Sequence, residues 1–191
     1  MNLIVMKFGG TSVANVEKIN NVANIIEKET VNNKLIIVLS AMSGVTNEMQ
    51  KYIDSINSNE IIENDLIITS GECVTVGLLS AILKKRNIKS IPLLGWQVPI
   101  ITDNNYQKAK ILNINKKRIM QFFDNHDVIV LAGFQGISLE GFITSLGRGG
   151  SDTTAVAIAS ALFSINTHIR LNMCVIIVIS IIISYGTRSS V

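Results

Sequence analysis

Apolar residues along this chain are arranged in two ways, as short continuous runs and as positions repeated every three or four residues. Continuous runs rich in Val, Ile and Leu are typical of strands that are buried on both faces. Four such strands are predicted, at residues 3–8, 35–39, 91–94 and 128–131. Because strands that alternate with helices form parallel sheets covered on both sides, the pattern predicts an α/β fold, a three-layer αβα sandwich with a mainly parallel sheet.

Helical spacing fills most of the segments between these runs. The first helix is expected to begin at Ser12, a favourable N-cap residue, since apolar positions follow it at helical intervals. Further helices are predicted from about Thr46 and over residues 65–85, 114–123 and 151–163, with short additional strands at 100–102 and 142–145.

Two glycine-rich loops follow predicted strands, and each carries one basic residue, Lys7 before the first loop and Arg148 within the second. Both loops are expected to open a helix, where exposed backbone N–H groups suit anionic ligands. Two such loops indicate a site that handles two anions at once, as phosphoryl transfer onto a carboxylate requires. An ordinary strand-to-helix turn with a serine cap is the simpler interpretation of the first loop.

The composition of the chain argues against several classes of protein and of binding site. The 191 residues are 48% hydrophobic and 16% charged, which predicts one folded domain without extended disorder. The net charge of +3 is spread along the chain, so no nucleic-acid partner is expected. Cys73, Cys174, His126 and His168 lack metal-ligand spacing, so no metal site is predicted. Unpaired cysteines and an N-terminus without signal-peptide features predict a cytoplasmic protein.

The C-terminal segment departs from the alternating pattern. Residues 174–183 are almost uniformly apolar, but a spanning helix needs about 20 apolar residues, so no membrane partner is expected. The segment is either one buried strand or a tail that does not belong to the fold. Because it is β-prone and nearly uncharged, it is expected to aggregate when exposed.

Five motifs in order resemble the aspartate kinase branch of the amino acid kinase superfamily. They are Lys-Phe-Gly-Gly-Thr-Ser-Val-Ala at 7–14, Leu-Ser-Ala-Met-Ser-Gly-Val-Thr-Asn at 39–47, Ser-Gly-Glu at 70–72, Ala-Gly-Phe-Gln-Gly at 132–136 and Gly-Arg-Gly-Gly-Ser-Asp-Thr-Thr-Ala at 147–155. The resemblance implies ATP-dependent phosphorylation of L-aspartate to 4-phospho-L-aspartate, the first step towards lysine, threonine, methionine and diaminopimelate. It also implies ATP with Mg²⁺ as co-substrate, and a homo-oligomer.

The resemblance assigns one group of residues to the phosphates. Lys7 is expected to neutralise the transferring γ-phosphoryl group and is counted as catalytic, although by itself it reads as an exposed lysine at a strand end. The other residues implied to bind ATP phosphates are Phe8, Gly9, Gly10, Thr11, Ser12, Ser40 and Gly44.

A second group is implied to bind aspartate. Glu72 is expected to meet its α-amino group and Arg148 its α-carboxylate, while a solvated helix face is the other interpretation of Glu72. Asp152 is expected to orient Lys7 or the substrate amine as a catalytic residue, or merely to favour a helix N-terminus. The remaining residues implied to bind substrate are Thr46, Gly149, Gly150 and Ser151.

The resemblance ends near residue 163. Residues 1–163 are therefore expected to be the N-terminal part of an amino acid kinase domain, and residues 164–191 an atypical apolar tail with the character of a frameshifted end. Because the nucleotide-holding strand of the family and its ACT regulatory domains find no counterpart in this sequence, weak or no turnover is expected. The alternative is an inactive truncated product that at most binds aspartate or pairs with an intact kinase subunit. Another carboxylate kinase, such as glutamate 5-kinase, is disfavoured by the first and last motifs together.

Overall fold

The computed structural model describes residues 2–163 and the backbone of one further strand, Ile176–Ile179. In chain order the strands are β1 (Asn2–Phe8), β2 (Asn33–Leu39), β3 (Ser90–Leu93), β4 (Ile100–Thr102), β5 (Ile111–Ile114), β6 (Val128–Ala132), β7 (Gln135–Ser138), β8 (Ile143–Ser145) and β9 (Ile176–Ile179). The helices are α1 (Val16–Glu29), α2 (Val45–Ser55), α3 (Ile61–Ile68), α4 (Ser70–Lys85), α5 (Lys116–Phe122) and α6 (Gly150–Phe163).

The main sheet has the strand order β3-β6-β2-β1-β9, and every pairing in it is parallel. Alternate residues of β2 enter two different cores. Leu35, Ile37 and Leu39 pack with α1 and α4, whereas Ile36 and Val38 pack with α5 and α6 on the other side. Helices therefore cover both faces of a parallel sheet, which confirms the predicted three-layer αβα fold.

Strand register brings the carboxyl ends of three strands together. Phe8 at the end of β1 pairs with Leu39 at the end of β2, and Leu39 pairs with Ala132 at the end of β6. The loops that follow these strands therefore leave the sheet side by side. Ligand sites of open parallel sheets lie at this edge.

A second sheet of order β5-β4-β7-β8 extends the fold beyond the predicted elements. The short strands expected at 100–102 and 142–145 correspond to β4 and β8, but β5 and β7 were not expected. Gly136 explains the omission of β7, since a glycine there suggested a turn. In the structure, a Cβ at Gly136 would lie 2.8 Å from the carbonyl oxygen of Ile100, so the glycine instead permits close strand packing.

The predicted start of the first helix is wrong. Helix α1 begins at Val16 and is capped by Asn15, whose side chain accepts a hydrogen bond from the backbone N–H of Lys18 at 2.9 Å. Ser12 is instead buried in the loop that precedes it. The first glycine loop therefore does not open a helix directly, whereas the second loop leads straight into α6.

The helix predicted over residues 65–85 is two helices that meet at Thr69. Within the described part of the chain, Ile61–Lys85 is the segment with the length and hydropathy to cross a membrane, and 44% of its apolar window is buried in this fold. Helix α4 packs against α1 and against β3 and β6.

The apolar C-terminal segment is described only as backbone at β9, which lies beside β1 in the sheet. A strand there agrees with one of the two interpretations of residues 174–183. His168 and Cys174 lie outside the described residues, and the predicted aggregation of the tail stays a prediction.

Candidate active site

A cleft of about 700 Å³ opens where the loops after β2 and β8 meet α2, α3 and α4. Its lining includes all six residues predicted to bind the acceptor, Thr46, Glu72, Arg148, Gly149, Gly150 and Ser151, together with Ser40, which was predicted to bind phosphate. Lys7, near the end of β1, and residues 9–12, on the loop that follows this strand, do not line the cleft but lie beside it. The structure therefore brings the two predicted groups of residues to one edge of the sheet, in adjacent positions.

Lys7 and Asp152 form an ion pair at the entrance to α6. Lys7 Nζ lies 2.8 Å from Asp152 Oδ1, and the lysine side chain is 10% exposed while the aspartate is 52% exposed. Because Asp152 is well solvated, the pair adds little stability, but it does fix where the ammonium group lies. Asp152 also occupies the first turn of α6, so the predicted helix-dipole role and the predicted contact with Lys7 are both met by its position.

The loop after β1 rests directly on the loop after β2. The backbone N–H of Ser43 donates to the carbonyl oxygen of Gly10 at 3.1 Å, and a Cβ at Gly10 would lie 2.8 Å from the carbonyl oxygen of Ala41. Glycine is therefore required at position 10 by this contact. The hydroxyl of Ser12 is buried and has no hydrogen-bond partner among the described residues, which leaves it available to a ligand.

Three residues predicted to bind phosphate, Phe8, Gly44 and Thr11, do not line the cleft. The Phe8 side chain is fully buried in the core, and its carbonyl oxygen accepts a hydrogen bond from Ser40 N–H at 3.2 Å. Gly44 is the N-cap of α2 with a φ of 89°, a left-handed conformation that favours glycine, and it does not line the cleft. Thr11 is exposed, and its carbonyl oxygen accepts from Lys18 Nζ.

Ser40 and Ser151 join the phosphate side to the acceptor side. Their hydroxyl oxygens lie 2.7 Å apart, which makes a hydrogen bond between the end of β2 and the start of α6. Gly133 permits this approach, because a Cβ there would lie 2.7 Å from Ser151 Cβ. The two serines were assigned to different ligands from the sequence, but they form one hydroxyl pair in the structure.

Glu72 is 2% exposed, so its interpretation as part of a solvated helix face is wrong. Its Oε1 accepts a hydrogen bond from Ala41 N–H at 3.0 Å, whereas its Oε2 has no partner among the described residues. Burial raises the pKa of Glu72 to about 7, although the Ala41 N–H opposes this shift. A buried carboxylate oxygen without a partner, on the wall of a cleft, is suited to a cationic ligand group.

Arg148 lies between two glycines in left-handed conformations, Gly147 with φ of 73° and Gly149 with φ of 76°. The arginine is exposed in the cleft and has no ion-pair partner within the described part of the chain. Its planar guanidinium can bind a carboxylate through two parallel hydrogen bonds. Thr46, in the first turn of α2, lines the same cleft.

Asp65 is a residue of this cleft that the sequence did not single out. It is completely buried, and its carboxylate accepts hydrogen bonds from Gln107 and Ser145. No local signal distinguishes Asp65 from its polar neighbours Glu63 and Asn64, because its burial depends on residues that are distant in sequence. Glu72, in the first turn of α4, could be singled out because a carboxylate on a largely apolar helix needs a partner.

Comparisons with known proteins agree on one family. The family model described as "Amino acid kinase family" matches residues 2–164. An aspartokinase of Rickettsia felis is 44% identical over 167 residues, which cover 85% of this chain and 42% of the relative. An aspartokinase of Bacillus sp. MGA3 is 46% identical over 164 residues, with 85% and 40% coverage. The chain therefore spans about two fifths of the length of these relatives.

Solved structures give the same result. Aspartate kinase from Synechocystis matches with a TM-score of 0.71 and 38% identity, covering 91% of this chain and 28% of that one. Aspartokinase III of E. coli, solved in complex with aspartate and ADP, matches with a TM-score of 0.70 over 84% of this chain and 47% of that one. At 22% identity the second match supports the fold alone.

Proposed function

Because the chain belongs to the amino acid kinase family, we propose that it takes part in the ATP-dependent phosphorylation of L-aspartate to 4-phospho-L-aspartate. One observation carries the proposal: the same cleft holds a buried, unpartnered carboxylate oxygen at Glu72 and an arginine without an ion-pair partner among the described residues at Arg148. These two groups complement the ammonium and carboxylate of a free amino acid.

The acceptor amino acid is oriented by its α-ammonium and α-carboxylate groups. Glu72 binds the α-ammonium group, and Arg148 binds the α-carboxylate through its planar fork, so the side-chain carboxylate is the part left free to react. The Ser40 and Ser151 hydroxyls lie between these residues and the Lys7 loop, where they can donate to the reacting carboxylate. The attacking carboxylate is ionised at neutral pH, so no general base is required.

The phosphate side acts by charge and alignment. Lys7, held by Asp152, neutralises charge that develops on the transferred phosphoryl group, and the N–H groups of residues 9–11 offer further donors. The described residues contain no cluster of three or more His, Cys, Asp or Glu side chains that could hold a metal ion. Mg²⁺ would therefore be bound chiefly by the nucleotide phosphates and water, where it supplies additional charge neutralisation.

The wider setting follows from the relatives and belongs to the same proposal. The product would feed lysine, threonine, methionine and diaminopimelate synthesis, in the cytoplasm, with self-association of the chain. The names of the relatives support the kinase reaction, and they do not bear on the pathway, the location or the self-association.

Trapping of the acyl phosphate tests the proposal. The purified chain is incubated with ATP, Mg²⁺, L-aspartate and hydroxylamine, and aspartyl hydroxamate is measured beside Lys7→Met. Lys34→Met is the matched control, because Lys34 is also a strand lysine paired with an aspartate, Asp127, at 2.7 Å. Hydroxamate from the unmodified chain and from Lys34→Met, but not from Lys7→Met, supports the proposal.

Calorimetry with L-aspartate alone separates binding from catalysis. Heat of binding without any hydroxamate would contradict the kinase reaction and support the alternative that the chain only binds aspartate. Equal hydroxamate from L-glutamate would contradict the assigned acceptor.

A further inference from the structure

The Asp65 carboxylate joins two segments that border the acceptor cleft. Gln107 N–H donates to Oδ2 at 2.9 Å and to Oδ1 at 3.2 Å. Ser145 donates twice, from its backbone N–H to Oδ2 at 2.8 Å and from its hydroxyl to Oδ1 at 2.7 Å. One side chain of α3 therefore holds the loop between β4 and β5 and the end of β8 in fixed positions.

All of the donors to Asp65 are neutral, and three of the four contacts involve backbone N–H groups. No ion pair to Asp65 occurs within the described part of the chain. A completely buried carboxylate is costly unless its oxygens are well satisfied, and backbone donors can move only with the chain itself. Moving Ser145 or Gln107 would break hydrogen bonds to a buried carboxylate, so Asp65 opposes the displacement of both residues.

Both oxygens of Asp65 already accept two hydrogen bonds each. Although Asp65 borders the cleft, little acceptor capacity is left for a substrate group. This distinguishes it from Glu72, whose Oε2 has no partner among the described residues. Asp65 is therefore suited to act through the chain segments that it holds.

The segments held by Asp65 confine the loop that carries Arg148. Gly147 follows Ser145 by two residues, and a Cβ at Gly147 would lie 3.1 Å from the carbonyl oxygen of Gln107. Gln107 has a φ of 67°, an unfavourable left-handed conformation for a residue with a side chain. Asp65 accepts the N–H of this same residue, so the carboxylate stabilises the strained turn that packs against Gly147.

We infer that Asp65 is a positioning residue, which sets the conformation of residues 145–151 so that Arg148 is held ready for the acceptor carboxylate. The inference rests on the proposed function for the identity of the acceptor. Its physical content, the control of the loop by a buried carboxylate, holds for any carboxylate ligand of Arg148.

Two variants of the full chain test the inference. Ser145→Ala removes only the 2.7 Å hydroxyl contact, and Asp65→Asn removes the charge and replaces one acceptor with a donor. The dissociation constant for L-aspartate is expected to rise roughly tenfold in each, because a hydrogen bond to a charged group is lost. The dissociation constant for MgATP is expected to stay within about twofold, since the Lys7 side is untouched.

Asp127→Asn is the matched control, because Asp127 is paired with Lys34 away from the cleft. It is expected to leave aspartate binding unchanged. Since the two test variants remove parts of one interaction, their effects should not add in the double variant. Weakening of aspartate and MgATP binding by the same factor would show a merely structural role and overturn the inference.

Hydrogen exchange gives a readout that needs no ligand. Amides of residues 145–151 are expected to exchange faster in Ser145→Ala and Asp65→Asn, while amides of β1 and β2 stay protected. Faster exchange together with no aspartate binding by the unmodified chain would contradict the proposed function but support the positioning role. Unchanged exchange of residues 145–151 in Ser145→Ala, which is the milder change should Asp65→Asn fail to fold, would overturn the inference.

Discussion

Replacement of Glu72 by Gln tests how burial controls the charge of the cleft. The glutamine keeps an oxygen that can accept from Ala41 N–H, but it cannot ionise. Burial raises the pKa of Glu72 from 4.5 to about 7, so the folded protein holds this proton more tightly than the unfolded chain does. The stability contributed by the protonated form is fully present below pH 4.5 and is lost as the pH rises through 7.

The size of the effect follows from these two pKa values. Between pH 5 and pH 8 the unmodified chain should lose roughly 2–3 kcal/mol of unfolding free energy through Glu72, whereas Glu72→Gln should not. The amide of the glutamine has its own cost in the buried site, but that cost does not depend on pH. The free energy of unfolding of Glu72→Gln should therefore rise relative to that of the unmodified chain by the same amount as the pH rises from 5 to 8.

Urea unfolding at several pH values between 5 and 8 measures this difference. Glu60→Gln is the control, because Glu60 is exposed and its side chain makes no capping hydrogen bond. Its stability should run parallel to that of the unmodified chain. A difference between Glu72→Gln and the unmodified chain that stays constant over this pH range would refute the reasoning.

The same site makes a prediction for ligand binding. An ammonium group beside Glu72 favours the ionised carboxylate, so aspartate binding should release a proton below about pH 7. Its affinity should then fall by up to about tenfold for each pH unit below that value. Calorimetry in buffers of different ionisation enthalpy measures the release, and binding without proton release at pH 6 would contradict this role of Glu72.

Three further substitutions address the remaining parts of the site. Arg148→Lys should weaken aspartate binding by roughly ten- to a hundredfold, because an ammonium group cannot form the bidentate contact. An unchanged affinity in calorimetry would refute this expectation. Gly10→Ala should destabilise the fold by about 1–3 kcal/mol through its close contact with the next loop, whereas Gly77→Ala, with open space around it, should not, as urea unfolding would show. Asp152→Asn should lower the rate of hydroxamate formation by roughly tenfold, because Lys7 is no longer held, while aspartate affinity stays the same; an unchanged rate would contradict the ion pair's role.

The main sheet could be predicted from the sequence because its strands are buried on both faces. Such strands need continuous apolar runs, and the runs at β2 and β6 have no polar interruption, while the run at β1 is interrupted by Lys7 alone, near its end. The motifs at the ends of these strands are also local features of sequence. Since parallel strands align their carboxyl ends, the pattern was enough to place the loops after β1 and β2 at one edge of the fold, whereas the Arg148 loop follows β8 of the second sheet.

Tertiary packing decided what local pattern could not. Ser12 has the chemistry of an N-cap, but the loop packs it inside and Asn15 caps the helix instead. Gly136 has the appearance of a turn residue, but a neighbouring strand requires it. The environment of Gly136 comes from β4, a segment that is distant in sequence.

The two buried carboxylates of the cleft, Glu72 and Asp65, also show which features the local sequence predicts and which depend on tertiary packing. The sequence indicated that Glu72 lies on an apolar helix, but helix periodicity does not say which face is covered, and only the packing against Ala41 shows its burial. Asp65 gave no motif, because its partners at 107 and 145 are brought to it by the second sheet. The main sheet and the chemical groups at its edge could be predicted from the local sequence. The tertiary structure decided which of those groups are buried, which are satisfied and which are left for a ligand, because each of these depends on contacts between segments far apart in the chain.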